Sequence, residues 1–332
     1  MKPWLYLPPK LSHDISPLAL KTLSLLKPWP KKTKASKNLL GLEFLSPFGT
    51  AGGLDKGAHS LYSWTKMGAG FLEVGTLTPK PQTPNPGSIL QRSLKDEALW
   101  NAMGFPNAGY EAVKPKLKEY KKLSLKRPLP PLFVNIGKNR NTSLDEAYND
   151  YLLGIETFSE LADAFVVNIS SPNTKDLRLL HEEKNFLPFI EPLIASANAF
   201  NKPILLKLSP DLEIEDFKTF IRNCTKLKLD GITLTNTTNS RPENLKKDFP
   251  LHGGVSGKPL ASLSIEKLKV AKTILAEENS KQILVSVGGV MTPQDAALRI
   301  EAGADLVQMY SGLIFYGPSL LKDSADFLLR KN

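Results

Sequence analysis

Residues 166–178 read VVNISSPNTKDLR, an apolar run that stops on asparagines and serines with a proline among them. A run this apolar, without polar alternation, reads as a strand buried on both faces. A polar terminus on such a strand implies that its end opens onto something polar. The same design recurs along the chain. FGTAGG (48–53), GFLEVGT (70–76), PLFVNIG (131–137), AFVVNIS (164–170), PILLKLS (203–209), GITLTN (231–236), ILVSVGG (283–289) and DLVQMYS (305–311) make eight such runs, each closing on Gly, Asn, Ser or Thr. Helical stretches separate them, some with capping-box-like starts at Ser143–Glu146 and Thr292–Asp295. Eight strands alternating with helices predict an α/β fold, a (β/α)8 TIM barrel. A doubly wound open sheet is the second choice, and no GxGxxG follows the first strand to favour it. Connections 77–130 and 237–261 are longer than a bare barrel needs, as expected of binding loops and lids.

A chain of 332 residues, 41% of them hydrophobic, supplies a large core. Its one cysteine, Cys224, falls in a segment with amphipathic helical spacing, which argues against disulfides and cysteine-ligated metals and predicts no metal site. The net charge of +10 is regional: residues 1–40 carry eight lysines against Asp14, so +7 resides there. That region also holds WLYL (4–7) and PLALKTLSLL (17–26), with Ser16-Pro17 as a helix start. No stretch reaches the roughly 18 apolar residues of a membrane span. Two readings stand: a basic amphipathic segment on an anionic membrane surface, or a helix packed on the main domain before a lysine-rich linker. The chain divides accordingly into an extension, 1–40, and a barrel, 41–332. Neither this cluster nor KPKLKEYKKLSLKR (114–127) has the aromatic interleaving or zinc spacing of a nucleic-acid module, so no nucleic-acid partner is expected.

Barrel sites form at the carboxyl ends of the strands, and polar residues gather there. Lys56 follows the first run, Thr76 ends the second, Asn135 lies in the third, and Asn168, Ser171 and Asn173 close the fourth. Thr235 and Asn236 close the sixth, Tyr310 and Ser311 the eighth. Lys207 sits inside the fifth, where a cation needs an anion; a bound anionic ligand is the expectation, a buried carboxylate the alternative. Glycine turns SVGGV (286–290) and MYSGLIFYGP (309–318), after the last two strands, suit a phosphate held on backbone N–H groups.

The ordered motifs GLDK (53–56), EVGTLTPKPQ (73–82), NAMGFPN (101–107), NIGKN (135–139), VNISSPNT (167–174), LKLSPD (206–211), TNTT (235–238), GGVSGKPL (253–260), SVGGV and QMYSG (308–312) resemble the class 2, quinone-linked, membrane-associated dihydroorotate dehydrogenases over essentially the whole chain. The resemblance implies an FMN barrel that oxidises (S)-dihydroorotate to orotate in pyrimidine synthesis. It implies Ser171 as catalytic base, where class 1 relatives place cysteine. Substrate would be held by Lys56, Asn101, Ala102, Met103, Gly104, Phe105, Asn168, Asn173, Asn236 and Thr237. FMN would be held by Gly52, Gly53, Lys56, Thr76, Asn135, Asn168, Lys207, Thr235, Gly257, Gly289, Tyr310 and Ser311. Thr174 and Phe105 match groups on the path by which the serine passes its proton on. Residues 1–30 take the place of the quinone-access and membrane-contact segment, which implies a peripheral membrane protein on the cytoplasmic face with a membrane quinone as partner.

The chemistry asks for these residue types. Forming orotate removes a proton beside a ring carbonyl and a hydride from the neighbouring carbon, so it needs a base and an electron sink. Neutral amides both donate and accept, which suits a planar ring of alternating N–H and C=O. Departures from the family pattern are Pro8-Pro9 in the extension, Ser46 before Pro47, Gly52, and Asp176 after the catalytic loop. Three other readings are a tRNA-dihydrouridine synthase, which would need a cysteine acid, a colourless phosphate-binding aldolase or isomerase, and a non-catalytic membrane scaffold.

Overall fold

Eight strands form one parallel sheet in the computed structural model, which describes residues 2–32, 34–174 and 176–331. They are β1 (Phe48–Thr50), β2 (Leu72–Leu77), β3 (Leu132–Ile136), β4 (Ala164–Asn168), β5 (Ile204–Leu208), β6 (Gly231–Leu234), β7 (Ile283–Val287) and β8 (Leu306–Met309). Each overlaps one of the eight predicted runs. Neighbours pair in the order β1-β8-β7-β6-β5-β4-β3-β2, all parallel. The ring closes between β1 and β2 through Gly70 N–H to Phe48 O at 2.7 Å and Thr50 N–H to Phe71 O at 3.3 Å. Closure requires a bare backbone on β1, since a Cβ on Gly49 would lie 2.5 Å from the Phe71 ring. The fold is therefore a (β/α)8 TIM barrel.

Within each apolar run the side chains alternate between two cores. Val74, Val134, Phe165, Val167, Leu206, Ile232, Leu284 and Val307 join the core beneath the helical layer. Phe71, Phe133, Ala164, Val166, Leu205, Ile283, Val285 and Leu306 form a second apolar cluster in the barrel interior. A hairpin, Lys37–Leu39 with Leu42–Phe44, joins that cluster with Phe44, Leu39 and Leu42, closing the amino end. The Phe44 ring lies edge-on to Phe71 and Phe133, centroids 5.7 and 6.0 Å away. Two residues further along four of the strands, the interior turns polar, with Glu73, Asn135, Lys207 and Gln308 all buried. This polar layer floors the site.

The two long connections are not simply loops. Leu90–Ser93 and Ala98–Asn101 form a hairpin, and Gly254–Gly257 pairs with its second strand, giving a three-stranded antiparallel sheet. Trp100, Leu245, Phe249 and Val255 pack beneath it. These strands have four residues each, too short for their pattern to stand out from loop sequence.

The amino-terminal segment departs from expectation in its start. A 3-10 turn, Pro3–Tyr6, precedes α1 (Pro9–Ser24), so the helix begins at Pro9 rather than at Ser16-Pro17. Proline at a first helical position removes an N–H that has no partner there. Pro17 is accommodated inside the helix because Ser16 Oγ donates 2.8 Å to His13 O, the carbonyl that residue 17 would otherwise serve. One face packs on the barrel: Leu20 is buried, and Ser24 Oγ meets Ser63 Oγ at 3.1 Å. The other exposes Leu11, Ile15 and Leu18, the last 70% accessible. The helix thus packs on the main domain with one face and leaves an apolar stripe exposed on the other.

Candidate active site at the carboxyl end of the barrel

A cavity with an empty volume of about 1000 Å³, open mouth included, lies over the polar floor. Nearly all the residues singled out from sequence line it. Gly52, Gly53, Lys56 and Thr76 come from the first two strand ends; Asn168, Ser171 and Asn173 from β4; Lys207 from β5; Thr235, Asn236 and Thr237 from β6; Gly289 from β7; Tyr310 and Ser311 from β8. The long insertion contributes Asn101, Met103, Gly104 and Phe105. Three candidates stand off the wall. Ala102 is buried in the cluster with Trp100, Gly257 is engaged in pairing with Ala98, and Asn135 lies in the floor, bonded to Glu73. Leu99, Leu260 and Val287 add an apolar share that sequence reading missed, because such residues look like ordinary core.

The amides are held by one another. Asn168 Nδ2 donates to Thr76 Oγ1 at 2.8 Å, while its Oδ1 accepts from Ser170 Oγ at 2.8 Å. Ser170 Oγ accepts from Asn236 Nδ2 at 2.9 Å, and Asn236 Oδ1 accepts from Thr237 N–H at 2.7 Å. A single chain of hydrogen bonds therefore sets amide orientation across β2, β4 and β6. Asn173 Nδ2 reaches Asn101 Oδ1 at 3.0 Å, tying the loop after β4 to the inserted sheet. Arg178 fastens that loop from behind, donating to Ser170 O at 3.1 Å, to Thr237 O at 3.3 Å and to Asp211 Oδ2 at 2.9 Å.

Ser171 is 4% exposed, and its Oγ accepts from Asn173 N–H at 3.2 Å and from Thr174 Oγ1 at 3.4 Å. Donors aimed at this oxygen favour its developing a negative charge. Lys56 Nζ donates to Gly53 O at 2.9 Å and touches Met103 Sδ at 3.7 Å. Burial pulls its pKa down to about 8, with Asp55 opposing the fall. The Tyr310 hydroxyl is pushed up to about 12 by burial and stays protonated.

The floor corrects the reading of Lys207. Its Nζ lies 3.5 Å from Glu73 Oε1, both side chains almost fully buried, so a protein carboxylate already answers this cation. Glu73 Oε1 also accepts from Asn135 Nδ2 at 2.6 Å, and Oε2 accepts from Gln308 Nε2 at 2.5 Å. Glu73 was legible only as one acid inside GFLEVGT, and Gln308 as one amide inside DLVQMYS. Period two places both on the same inward face as Asn135 and Lys207. Asn135 Oδ1, Gln308 Oε1 and Thr233 Oγ1 are buried and meet no hydrogen-bond partner among the described residues. Buried acceptors of this kind are normally satisfied, so the floor holds unmet hydrogen-bonding capacity, and Gln308 among the three lines the cavity. Cys224 sits far from this chemistry, buried in the outer helix Ile214–Thr225 with burial raising its thiol pKa.

A parallel barrel with an amide-lined mouth, a lysine on its rim and a paired charge in its floor defines an α/β-barrel enzyme acting on a small polar molecule. The family profile of dihydroorotate dehydrogenase matches residues 34–330, and the chain belongs to that family of oxidoreductases. A quinone-type dihydroorotate dehydrogenase of Thermus thermophilus is 44% identical over 281 residues, 84% of this chain and 78% of that protein. That of Nautilia profundicola is 38% identical over 333 residues, 97% and 89% of the two chains. A crystal structure of the Eimeria tenella enzyme in complex with ferulenol superposes with a TM-score of 0.89 at 32% identity, covering 97% of this chain and 91% of that one.

Proposed function

We propose that the chain oxidises dihydroorotate to orotate in pyrimidine biosynthesis, with FMN in the barrel mouth, a membrane quinone as final acceptor and Ser171 as the base. The single observation carrying this reading is the placement of Ser171 Oγ, held by two donors, on the same cavity wall as four asparagines and two lysines. The cofactor reading is supported by the unpartnered acceptors of Asn135 and Gln308 in the floor, and by the Ser256 and Ser311 hydroxyls, 3.0 Å apart. Gly53, Thr76, Lys207, Thr235, Gly289, Tyr310 and Ser311 would hold it. Bound flavin supplies the acceptor for the hydride that leaves the substrate.

The protein's own groups do the rest. Asn101, Asn173 and Asn236 present neutral donors and acceptors to a ring that also carries a carboxylate, and Lys56 supplies the complementary charge. A lysine with pKa near 8 is still mostly charged at neutral pH, and an anion beside it raises that pKa further. Ser171 takes the carbon-bound proton as its own hydroxyl proton passes to a neighbouring acceptor or water. Thr174 Oγ1, 3.4 Å away, can be that acceptor once its hydroxyl turns from donating to Ser171 to accepting from it. Lys207, with its charge shared by Glu73, stabilises electron density arriving above the floor.

An anaerobic titration of the full chain with dihydroorotate tests the whole reading: the bound flavin absorbance should bleach stoichiometrically. A colourless protein, or a yellow one that dihydroorotate leaves unchanged, would refute it.

The extension supports the quinone reading. Leu5 packs against Leu99, Met291 and Phe315 beside Tyr310, so the segment roofs an apolar edge of the mouth. Arg92 Nη2 fixes it there, donating to Leu5 O at 2.5 Å and to Leu7 O at 2.8 Å. Among the described residues no helix is long and apolar enough to cross a membrane, and α1 turns its Leu11–Ile15–Leu18 stripe outward. We read this as peripheral attachment at a cytoplasmic membrane face. Deleting residues 1–30 should leave bleaching by dihydroorotate intact and reduce turnover with a membrane-embedded quinone at least about tenfold, because apolar contact concentrates the enzyme at the surface. Equal quinone turnover in the shortened chain would remove the attachment role.

A further inference from the structure

One buried cation takes no part in the chemistry above. Arg299, 2% exposed, sits in the last turn of the helix Pro293–Glu301, behind the end of β7. Its guanidinium donates to Gly288 O at 2.8 Å, Ala261 O at 3.0 Å and Ser286 Oγ at 3.4 Å. These acceptors are all neutral. Asp295, one turn away, is occupied by the N–H groups of Met291 and Thr292 at 3.0 and 2.9 Å. Burial pulls the Arg299 pKa down to about 10, with Asp295 opposing the fall. All its hydrogen bonds go to neutral oxygens and Asp295 is a charged neighbour to which it makes no ion pair, so the cation can serve a further counter-charge on the far side of those carbonyls.

The peptide plane says where that side is. In a trans peptide the C=O of one residue and the N–H of the next point in opposite directions. Arg299 and Ser264 Oγ, the latter at 2.7 Å, both hold Gly288 O toward the helical layer. The Gly289 N–H is therefore turned the other way, on a residue that lines the cavity. Among the described residues that N–H has no backbone acceptor. The turn is tight enough to exclude a side chain: Gly289 has φ +71°, and a Cβ there would lie 2.3 Å from Ala261 Cα. Arg299 thus pins the β7 loop and the start of the helix Ala261–Glu277 together.

We infer that Arg299 is a positioning residue for a phosphate monoester in this cavity: it turns the Gly289 amide inward and supplies, from behind the loop, the positive charge that balances the phosphate. The inference rests on the flavin reading above and adds to it a determinant of selectivity, FMN over riboflavin. Arg299 itself does not line the cavity.

Full-length protein, Arg299→Gln and Arg299→Lys are each titrated with FMN and with riboflavin by flavin fluorescence, circular dichroism confirming the fold. Arg299→Gln should weaken FMN about 10- to 100-fold, the worth of a charge-assisted contact, and riboflavin less than about twofold. Arg299→Lys keeps the charge without the planar fork, so its selective loss should be about 3- to 10-fold. It carries the test alone if the glutamine variant fails to fold. Equal weakening of both flavins, or no change in either, overturns the assignment. Failure of the unmutated chain to bind either flavin overturns the flavin reading itself, and Arg299's role with it.

Discussion

Ser171→Ala should reduce the rate at which dihydroorotate bleaches the bound flavin by about 10²- to 10⁴-fold, the range a positioned general base supplies. FMN should remain bound, because the groups assigned to the cofactor are left in place. The loop itself should also persist. Asn173 keeps its bond to Asn101 at 3.0 Å, and Arg178 keeps the Ser170 carbonyl at 3.1 Å. Anaerobic stopped-flow mixing separates this step from quinone turnover. An unchanged bleaching rate would dismiss Ser171 as the base.

The second large effect is expected at the floor. Glu73→Leu leaves the Lys207 ammonium buried without its carboxylate and strips Asn135 and Gln308 of their acceptor. Breaking one side of a buried pair costs about 3–5 kcal/mol. For a chain of 332 residues that lowers the thermal midpoint by about 4–7 °C, given an unfolding entropy of about 2.1 cal/mol/K per residue. The measurement belongs on flavin-free protein, so that lost cofactor linkage does not add to the shift. Adding Lys207→Met to Glu73→Leu should restore at least about half of the loss, since removing both charges avoids the stranded one. A double variant no more stable than Glu73→Leu alone would show that the pair does not act as a unit.

The barrel was legible because its evidence is repeated. Eight apolar runs with polar ends cannot each be accidental, and burial on both faces leaves a continuous signature such as AFVVN in β4. What stayed hidden depended on which residue faces which. Glu73 and Lys207 are 134 positions apart, and only strand register brings them within 3.5 Å. The inserted sheet was hidden for a related reason: Gly254–Gly257 finds its partner in Ala98–Asn101, across four barrel strands of intervening sequence. Proline was over-read at Ser16-Pro17, because a side-chain hydroxyl can serve the carbonyl that proline abandons. Candidates carried by one local motif, such as Asn168, Ser171 and Asn173 in VNISSPNT, line one cavity together because their neighbours in sequence are also neighbours in space.

The hairpin of residues 37–44 that stops the narrow end of the barrel has a bearing on traffic. With Phe44 wedged among Phe71 and Phe133 the amino end is stopped, so under the proposed function fuel and oxidant would approach from a common threshold. That threshold has two unlike sides, one rich in asparagine and one roofed by Leu5, and under the proposed function the first would admit a charged ring from water and the second an oily tail from a bilayer. On that reading two solvents would meet one catalyst without meeting each other.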